Sequence, residues 1–302
     1  MNSFTIVIDT SCDLSDEYIK ENDIDVLPIP FYLGDMEYSE GYWQEISGKE
    51  FYDKLRKGSI SRTSQINFDT YYKTFSDYAR QGREAVFIIL SSGLSATYEN
   101  AMAALEEVRE KYPDCKLYPI DSISATSLNT LLVILAVKKR SEGMSALETA
   151  AWLEHKKNNV LGFFTVDDLM YLHRGGRLSK LSAVGGSVLG IKPILNISPT
   201  GTLAVKDKIR GREAALKYMV NQVKISISPD TVLDTVVITH TDCEEDANKL
   251  AEMVKAEIQV KNILILIMGP VIGAHVGPGA VTIVFEADIT REDYDNKRYK
   301  RN

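Results

Sequence analysis

The chain has 302 residues, 44% of them hydrophobic and 25% charged, a globular composition long enough for two ordinary domains or one large one. Its 35 basic and 42 acidic residues leave a formal charge of −7, and no run of Lys and Arg interleaves with aromatics. Nucleic acid and anionic membrane surfaces are therefore poor partners, and disorder is expected only over the highly charged residues 291–302.

The opening stretch, residues 1–9, lacks a basic segment followed by a long apolar run, so no signal peptide is expected and the cytoplasm is the default compartment. Residues 4–8 form a β-branched run ending at Asp9-Thr10-Ser11, which predicts a buried strand and a polar turn. Residues 24–33, interrupted by Pro28 and Pro30, predict extended edge chain. A helix is predicted over 68–80, stopping at Gly82, then a strand over 86–90 and the serine-rich turn 91–97. A helix over 98–111, a strand over 116–120 and helices over 127–140 and 146–157 complete the first half. Alternating strands and helices with short polar turns predict an α/β domain with a mostly parallel sheet.

The second half has a different texture. A strand over 161–166 leads to a short helix over 167–173 and the Gly-rich Arg174-Gly-Gly-Arg177. Residues 193–198 and 203–210 predict a hairpin turned by Pro199-Thr-Gly201. Helices over 213–223 and 244–257 alternate with strands over 235–240 and 262–268, and residues 278–285 close the fold. This α+β style puts a domain boundary at 158/159, giving domains 1–158 and 159–302. Three scattered cysteines, Cys12, Cys115 and Cys243, suit a reducing compartment. The apolar runs 131–137 and 263–268 are too short to span a bilayer.

Chemistry concentrates at a few junctions. Strand, serine-rich turn and helix at 86–111 could seat a carboxylate, with Ser95 and neighbouring amides such as Gly93 as donors, because a helix start has unpaired N–H groups; Ser95 as a plain N-cap is the ordinary alternative. Gly93-Leu-Ser95-Ala-Thr97 also approaches a nucleophile elbow, with His240 or His275 as the histidine of an acyl-ester hydrolase. Thr63-Ser64-Gln65 offers two hydroxyls at a loop-to-helix junction, after the basic, polar stretch 54–62. Arg174 and Arg177 flank glycines that permit close backbone approach and could hold a carboxylate or acyl phosphate; a Gly-capped helix end is the alternative. His275 sits in Gly269-Pro-Val-Ile-Gly-Ala-His-Val-Gly-Pro-Gly279, a composition that predicts a shaped loop. Gly185-Gly-Ser-Val-Leu-Gly190-Ile-Lys192 fails as a P-loop, since Ile191 stands where Lys must follow the Gly. The four histidines (155, 173, 240, 275) lack ligand spacing, so no metal is expected.

In their order along the chain these motifs resemble the DegV family, of which the FakB fatty-acid carriers are members. The matching pieces are Asp9-Thr-Ser-Cys-Asp-Leu14, Thr63-Ser-Gln65, Ser91-Ser-Gly-Leu-Ser-Ala-Thr-Tyr98, Tyr171-Leu-His-Arg-Gly-Gly-Arg-Leu-Ser179, Gly190-Ile-Lys-Pro-Ile-Leu195 and Gly269 to Ala280. The resemblance implies two α/β domains with a long-chain fatty acid, such as hexadecanoate or octadecenoate, buried between them. It implies that Thr63 and Ser95 hold the carboxylate, with His275 as a third polar contact. Ser64, Gly93 and Arg177 are expected close by, and no catalytic residue and no cofactor are implied. It also implies a partner, a fatty acid kinase of the dihydroxyacetone-kinase type; because a surface at −7 needs local positive patches to meet an ATP-bearing partner, Arg174, Arg210 and Arg212 are expected to face it. The chain departs from the family's usual residues at Ile66-Asn67, at Ala96 and in Arg210-Gly-Arg212.

Overall fold

A computed structural model of the chain describes residues 4–39, 43–178 and 190–299. In chain order the strands are β1 (Thr5–Asp9), β2 (Ile24–Leu27), β3 (Phe31–Leu33), β4 (Met36–Tyr38), β5 (Ser61–Thr63), β6 (Ala85–Ile89) and β7 (Leu117–Asp121). Then come β8 (Val160–Thr165), β9 (Ile191–Ile197), β10 (Leu203–Arg210), β11 (Leu233–His240), β12 (Val260–Ile267) and β13 (Val281–Glu286).

β2, β1, β6 and β7 form a parallel sheet in that order, with Ile6 opposite both Ile24 and Val86. β1 and β6 are buried at every position, which is why they read as unbroken apolar runs: helices cover both faces of such a sheet. At its carboxyl edge the strand-end turns bond to one another. Leu90 N–H donates to Asp9 Oδ2 at 2.7 Å, Ser91 N–H to the Ser124 carbonyl at 2.9 Å, and Thr126 N–H to the Ser11 carbonyl at 2.7 Å. Ligands of parallel sheets bind at this edge.

The second sheet has the order β10-β9-β8-β13-β11-β12 and is mixed, only β11 and β12 being parallel. Helix Ser127–Ser141 touches strands of both large sheets and is buried nearly all round, the location expected of a helix without a polar face. The predicted helix over 68–80 is Phe68–Arg80, with Asn67 Oδ1 accepting from Thr70 N–H at 2.9 Å as its cap. Ile66, the other departure in that motif, is buried in the core.

Several expectations are corrected. Residues 24–33 are not one edge strand: Pro28 and Pro30 separate β2, at the edge of the parallel sheet, from β3 in a third sheet of order β4-β3-β5. The basic, polar stretch 54–62 holds the end of helix Gly48–Arg56 and the start of β5. Phe31, Phe51, Tyr52 and Leu55 form the core of this helix and the small sheet together with Ala274 of the second half. The Gly/Pro-rich segment at 269–279 contains helix Pro270–Val276, with proline in its first turn, where the missing N–H costs nothing. The short helix expected over 167–173 is Met170–Arg174. Residues 291–299, expected to be disordered, form helix Arg291–Tyr299, with Arg291 only 2% exposed. The P-loop-like stretch falls partly on residues 185–189, and Ser179 also lies outside the described residues.

Candidate functional site

Between the parallel sheet and the mixed sheet lies a cavity lined from both sides. Its walls are mostly apolar, with Leu128, Phe164, Ile197, Met268, Val271 and Val276 among them. The polar lining includes Thr63, Ser64, Ser95, Arg177 and His275. Residues from the T-S-Q motif, the serine turn, the R-G-G-R turn and the G-A-H segment therefore meet at one cavity, although they are spread over more than two hundred positions of sequence.

Thr63 closes β5, and its Oγ1 lies 2.8 Å from His275 Nε2. A Cβ on Gly175 would collide with His275 Nδ1, so glycine in the R-G-G-R turn lets the imidazole lie against the backbone. Burial first, and then the charge of Arg177, push His275 down to about 4, so the ring is neutral at ordinary pH. Arg177 Nε donates to the Leu94 carbonyl at 3.1 Å and Nη1 to the Gly175 carbonyl at 2.6 Å, which ties the serine turn to the R-G-G-R turn.

Ser95 Oγ lies 2.9 Å from Thr97 Oγ1 and accepts from Thr97 N–H at 3.3 Å. The N-cap of helix Thr97–Lys111 is Ala96, which has no side chain to cap with. Gly93 braces the turn: a Cβ there would sit 2.8 Å from the Thr200 carbonyl oxygen, so the serine turn packs backbone to backbone on the β9–β10 turn. Ser91 Oγ reinforces this contact by donating to the Gly201 carbonyl at 2.9 Å. Among the described residues, no hydrogen bond joins Ser95 to a histidine. His275 bonds Thr63, and His240 Nδ1, at the end of β11, accepts from Cys243 N–H at 3.3 Å.

The four arginines singled out from sequence are held in different ways. Arg174 stacks on the Tyr171 ring at 4.5 Å near the cavity mouth. Arg212 is engaged elsewhere, donating to Asp246 Oδ2 at 2.9 Å and to the Gly279 carbonyl at 2.8 Å. Arg210 is exposed at the end of β10.

The sequence matches the DegV family model, described as an uncharacterised protein family, over residues 3–288. The chain belongs to the DegV family. A DegV domain-containing protein of Clostridium perfringens is 38% identical over 289 residues, covering 95% of this chain and 99% of the relative. The solved structure of a fatty acid binding DegV family protein from Streptococcus agalactiae superimposes with a TM-score of 0.82 at 27% identity, over 96% of this chain and 100% of the other. The Streptococcus pneumoniae Fatty Acid Kinase (Fak) B3 protein, loaded with linoleic acid, shares the fold with a TM-score of 0.80 at 20% identity, over 95% and 100%. The Streptococcus agalactiae protein thus binds fatty acid on an α/β fold like the one seen here. Among the described residues no helix is long and apolar enough to cross a membrane.

One part of this DegV site escaped the sequence reading. Asp13, in the Asp9-to-Leu14 motif, is 3% exposed and accepts from Gly269 N–H at 2.7 Å and from Thr126 Oγ1. Burial pushes its carboxyl up to about 7. Thr126 lines the cavity at φ 51°, ψ −133°, a backbone region that non-glycine residues rarely adopt. Tyr52 Oη donates to the Met268 carbonyl at 2.6 Å. Together Asp13 and Tyr52 fix the entry to the helix that carries His275. The available signal was the pairing of a polar strand-end motif with a Gly-Pro segment, but spacing alone does not join positions so far apart.

Proposed function

We propose that this chain is a fatty-acid carrier, holding a long-chain acid such as hexadecanoate or octadecenoate and not itself turning over substrate. The observation that supports this reading is a mostly apolar cavity with Thr63, Ser95, Arg177 and His275 in its lining. An ionised carboxylate is costly to bury without donors, and two hydroxyls, a neutral imidazole and the Arg177 guanidinium supply them. Each methylene taken out of water contributes roughly 0.8 kcal/mol, so a long acyl chain gains ~10 kcal/mol gross before ordering costs. Ser64 stands beside Thr63, and Gly93 acts through the turn it braces.

The bound acid is presented in the cytoplasm to a separate fatty acid kinase of the dihydroxyacetone-kinase type. There a carboxylate oxygen attacks the γ-phosphorus of ATP, the bond to ADP breaks, and acyl phosphate forms. Arg174, Arg210 and Arg212 are assigned to the kinase-facing side, and the division into domains 1–158 and 159–302 follows the change from parallel to mixed sheet. Titration of the delipidated chain with hexadecanoate tests the reading: saturable binding near one acid per chain supports it, and no binding by a folded chain rejects it.

A further inference from the structure

The two outer edges of the mixed sheet are built differently. β10 carries Lys206, Asp207, Lys208 and Arg210, and its register against β9 shifts between Val205 and Asp207. Charge and a bulge both discourage a further strand from pairing there. The parallel sheet guards its edges too: β7 holds Pro119, which has no N–H to donate, and β2 is only four residues long and includes Asp25. β12, at the other edge of the mixed sheet, has none of these devices. It runs in unbroken register beside β11 from Asn262 to Ile267, and its residues 263–267 read Ile-Leu-Ile-Leu-Ile, each partly exposed.

The outward N–H and C=O groups of an edge strand are a template for another strand. Among the described residues, no hydrogen bond from outside β11 reaches the main chain of residues 261–267. The ends of this edge differ in charge. At one end Lys261 is 63% exposed and bonds Asp234 at 2.6 Å; Lys138 also holds Asp234, at 2.5 Å, so Lys261 can turn away and leave that carboxylate partnered. At the other end Leu266 and Ile267 share a recess with the exposed Asp16 and Glu17.

From this edge we infer that the chain self-associates: β12 pairs antiparallel with β12 of a second copy about a two-fold axis, joining the two mixed sheets into one. The second copy is the occupant because the edge is complementary to itself. An antiparallel pairing centred on Leu264 sets Leu264 opposite Leu264, Ile263 opposite Ile265 and Lys261 opposite Ile267. Apolar side chains therefore meet at the centre. At each end Lys261 of one copy arrives beside Asp16 and Glu17 of the other, so the charge match is made twice. The inference does not depend on what fills the cavity.

Sedimentation equilibrium of the full chain over a concentration series measures the association, and hydrogen exchange locates it. Wild type should pass from monomer to dimer as concentration rises, and the main-chain amides of residues 262–267 should exchange more slowly in the dimer. Lys261→Glu should weaken the dimer roughly tenfold or more, because like charges then meet at both ends, with the circular dichroism of the folded chain unchanged. Lys261→Glu/Glu17→Lys should recover most of the association, which a fold defect at residue 261 would not allow. A wild type that stays monomeric throughout the series overturns the inference. So does a dimer that Lys261→Glu leaves as tight as before, one that the second substitution fails to recover, or one whose protected amides lie outside β12.

Discussion

His275 lines the cavity and bonds Thr63, and its chemistry gives the first prediction. Its folded value of about 4 lies below the ordinary 6.5, so between those limits the unfolded chain binds more protons than the folded one. Folding stability contributed at this position is therefore present above pH 6.5 and lost as pH falls towards 4. His275→Gln should be less stable than wild type near neutral pH, with the gap narrowing by up to about 3 kcal/mol towards pH 4. Urea unfolding of both proteins across that range checks it; a gap independent of pH would mean that the ring titrates normally. A second prediction concerns the hydroxyls. Thr63→Ala with Ser95→Ala should weaken acid binding by roughly 2–5 kcal/mol with the fold retained, because a buried carboxylate loses two donors. Wild-type affinity in calorimetric titration of the double variant would put the head group elsewhere. Thr63, Ser95 and His275 stand in local patterns that decide nothing singly; their order along the chain, through the family resemblance, is what singled them out. Asp13 could not be singled out, because its partner Gly269 is 256 residues away and a buried carboxylate looks like any other Asp until that contact exists.

The longer elements followed their patterns closely. Helices Phe68–Arg80 and Glu244–Glu257 have the bounds their periodicity and stop signals predict. The three strands of the small sheet have three residues each, too few for an alternation to register. Helix Gly48–Arg56 was hidden by its charged outer face, although Phe51, Tyr52 and Leu55 are buried on the inner one. The segment 291–299 misled for a related reason: its charge suggested solvent, yet one of those charges is the anchor. Arg291 Nε donates to the Val160 carbonyl at 3.0 Å, Nη1 to the Ile123 carbonyl at 2.5 Å and Nη2 to Ser124 Oγ at 2.7 Å. It thus ties the C-terminal helix to the start of β8 and to the turn after β7. Arg291→Ala should destabilise the protein by roughly 2–4 kcal/mol, since it strands buried acceptors. Equilibrium urea denaturation measures this, and an unchanged midpoint would restore the view of this segment as a loose tail.

The described molecule is two large sheets and one small one, with the apolar cavity between the large ones, and polar contacts cross the seam. Ser127 Oγ lies 2.8 Å from Thr282 Oγ1, Thr239 Oγ1 donates to Ser127 Oγ at 3.2 Å, and Asp13 accepts from Gly269 N–H. The class of fold could be read from the alternation of strands and helices; the packing of residues 31–63 against the helix carrying His275 could not, since nothing local specifies it. Asp13 makes the seam sensitive to pH in the sense opposite to His275. Its folded value, about 7, lies above the ordinary 3.8, so the folded state binds the extra proton and stability is lost as pH rises through that window. Asp13→Asn should abolish this component, so that wild type loses stability relative to the variant from about pH 4 to about pH 7; parallel unfolding profiles would contradict it. The carrier reading itself faces a more direct trial. The full chain, expressed in a bacterial host and never delipidated, is extracted with organic solvent, and the extract is quantified by mass spectrometry against protein. The account predicts roughly one long-chain fatty acid per chain, greatly reduced in Thr63→Ala/Ser95→Ala; folded wild-type protein that yields no fatty acid would contradict it.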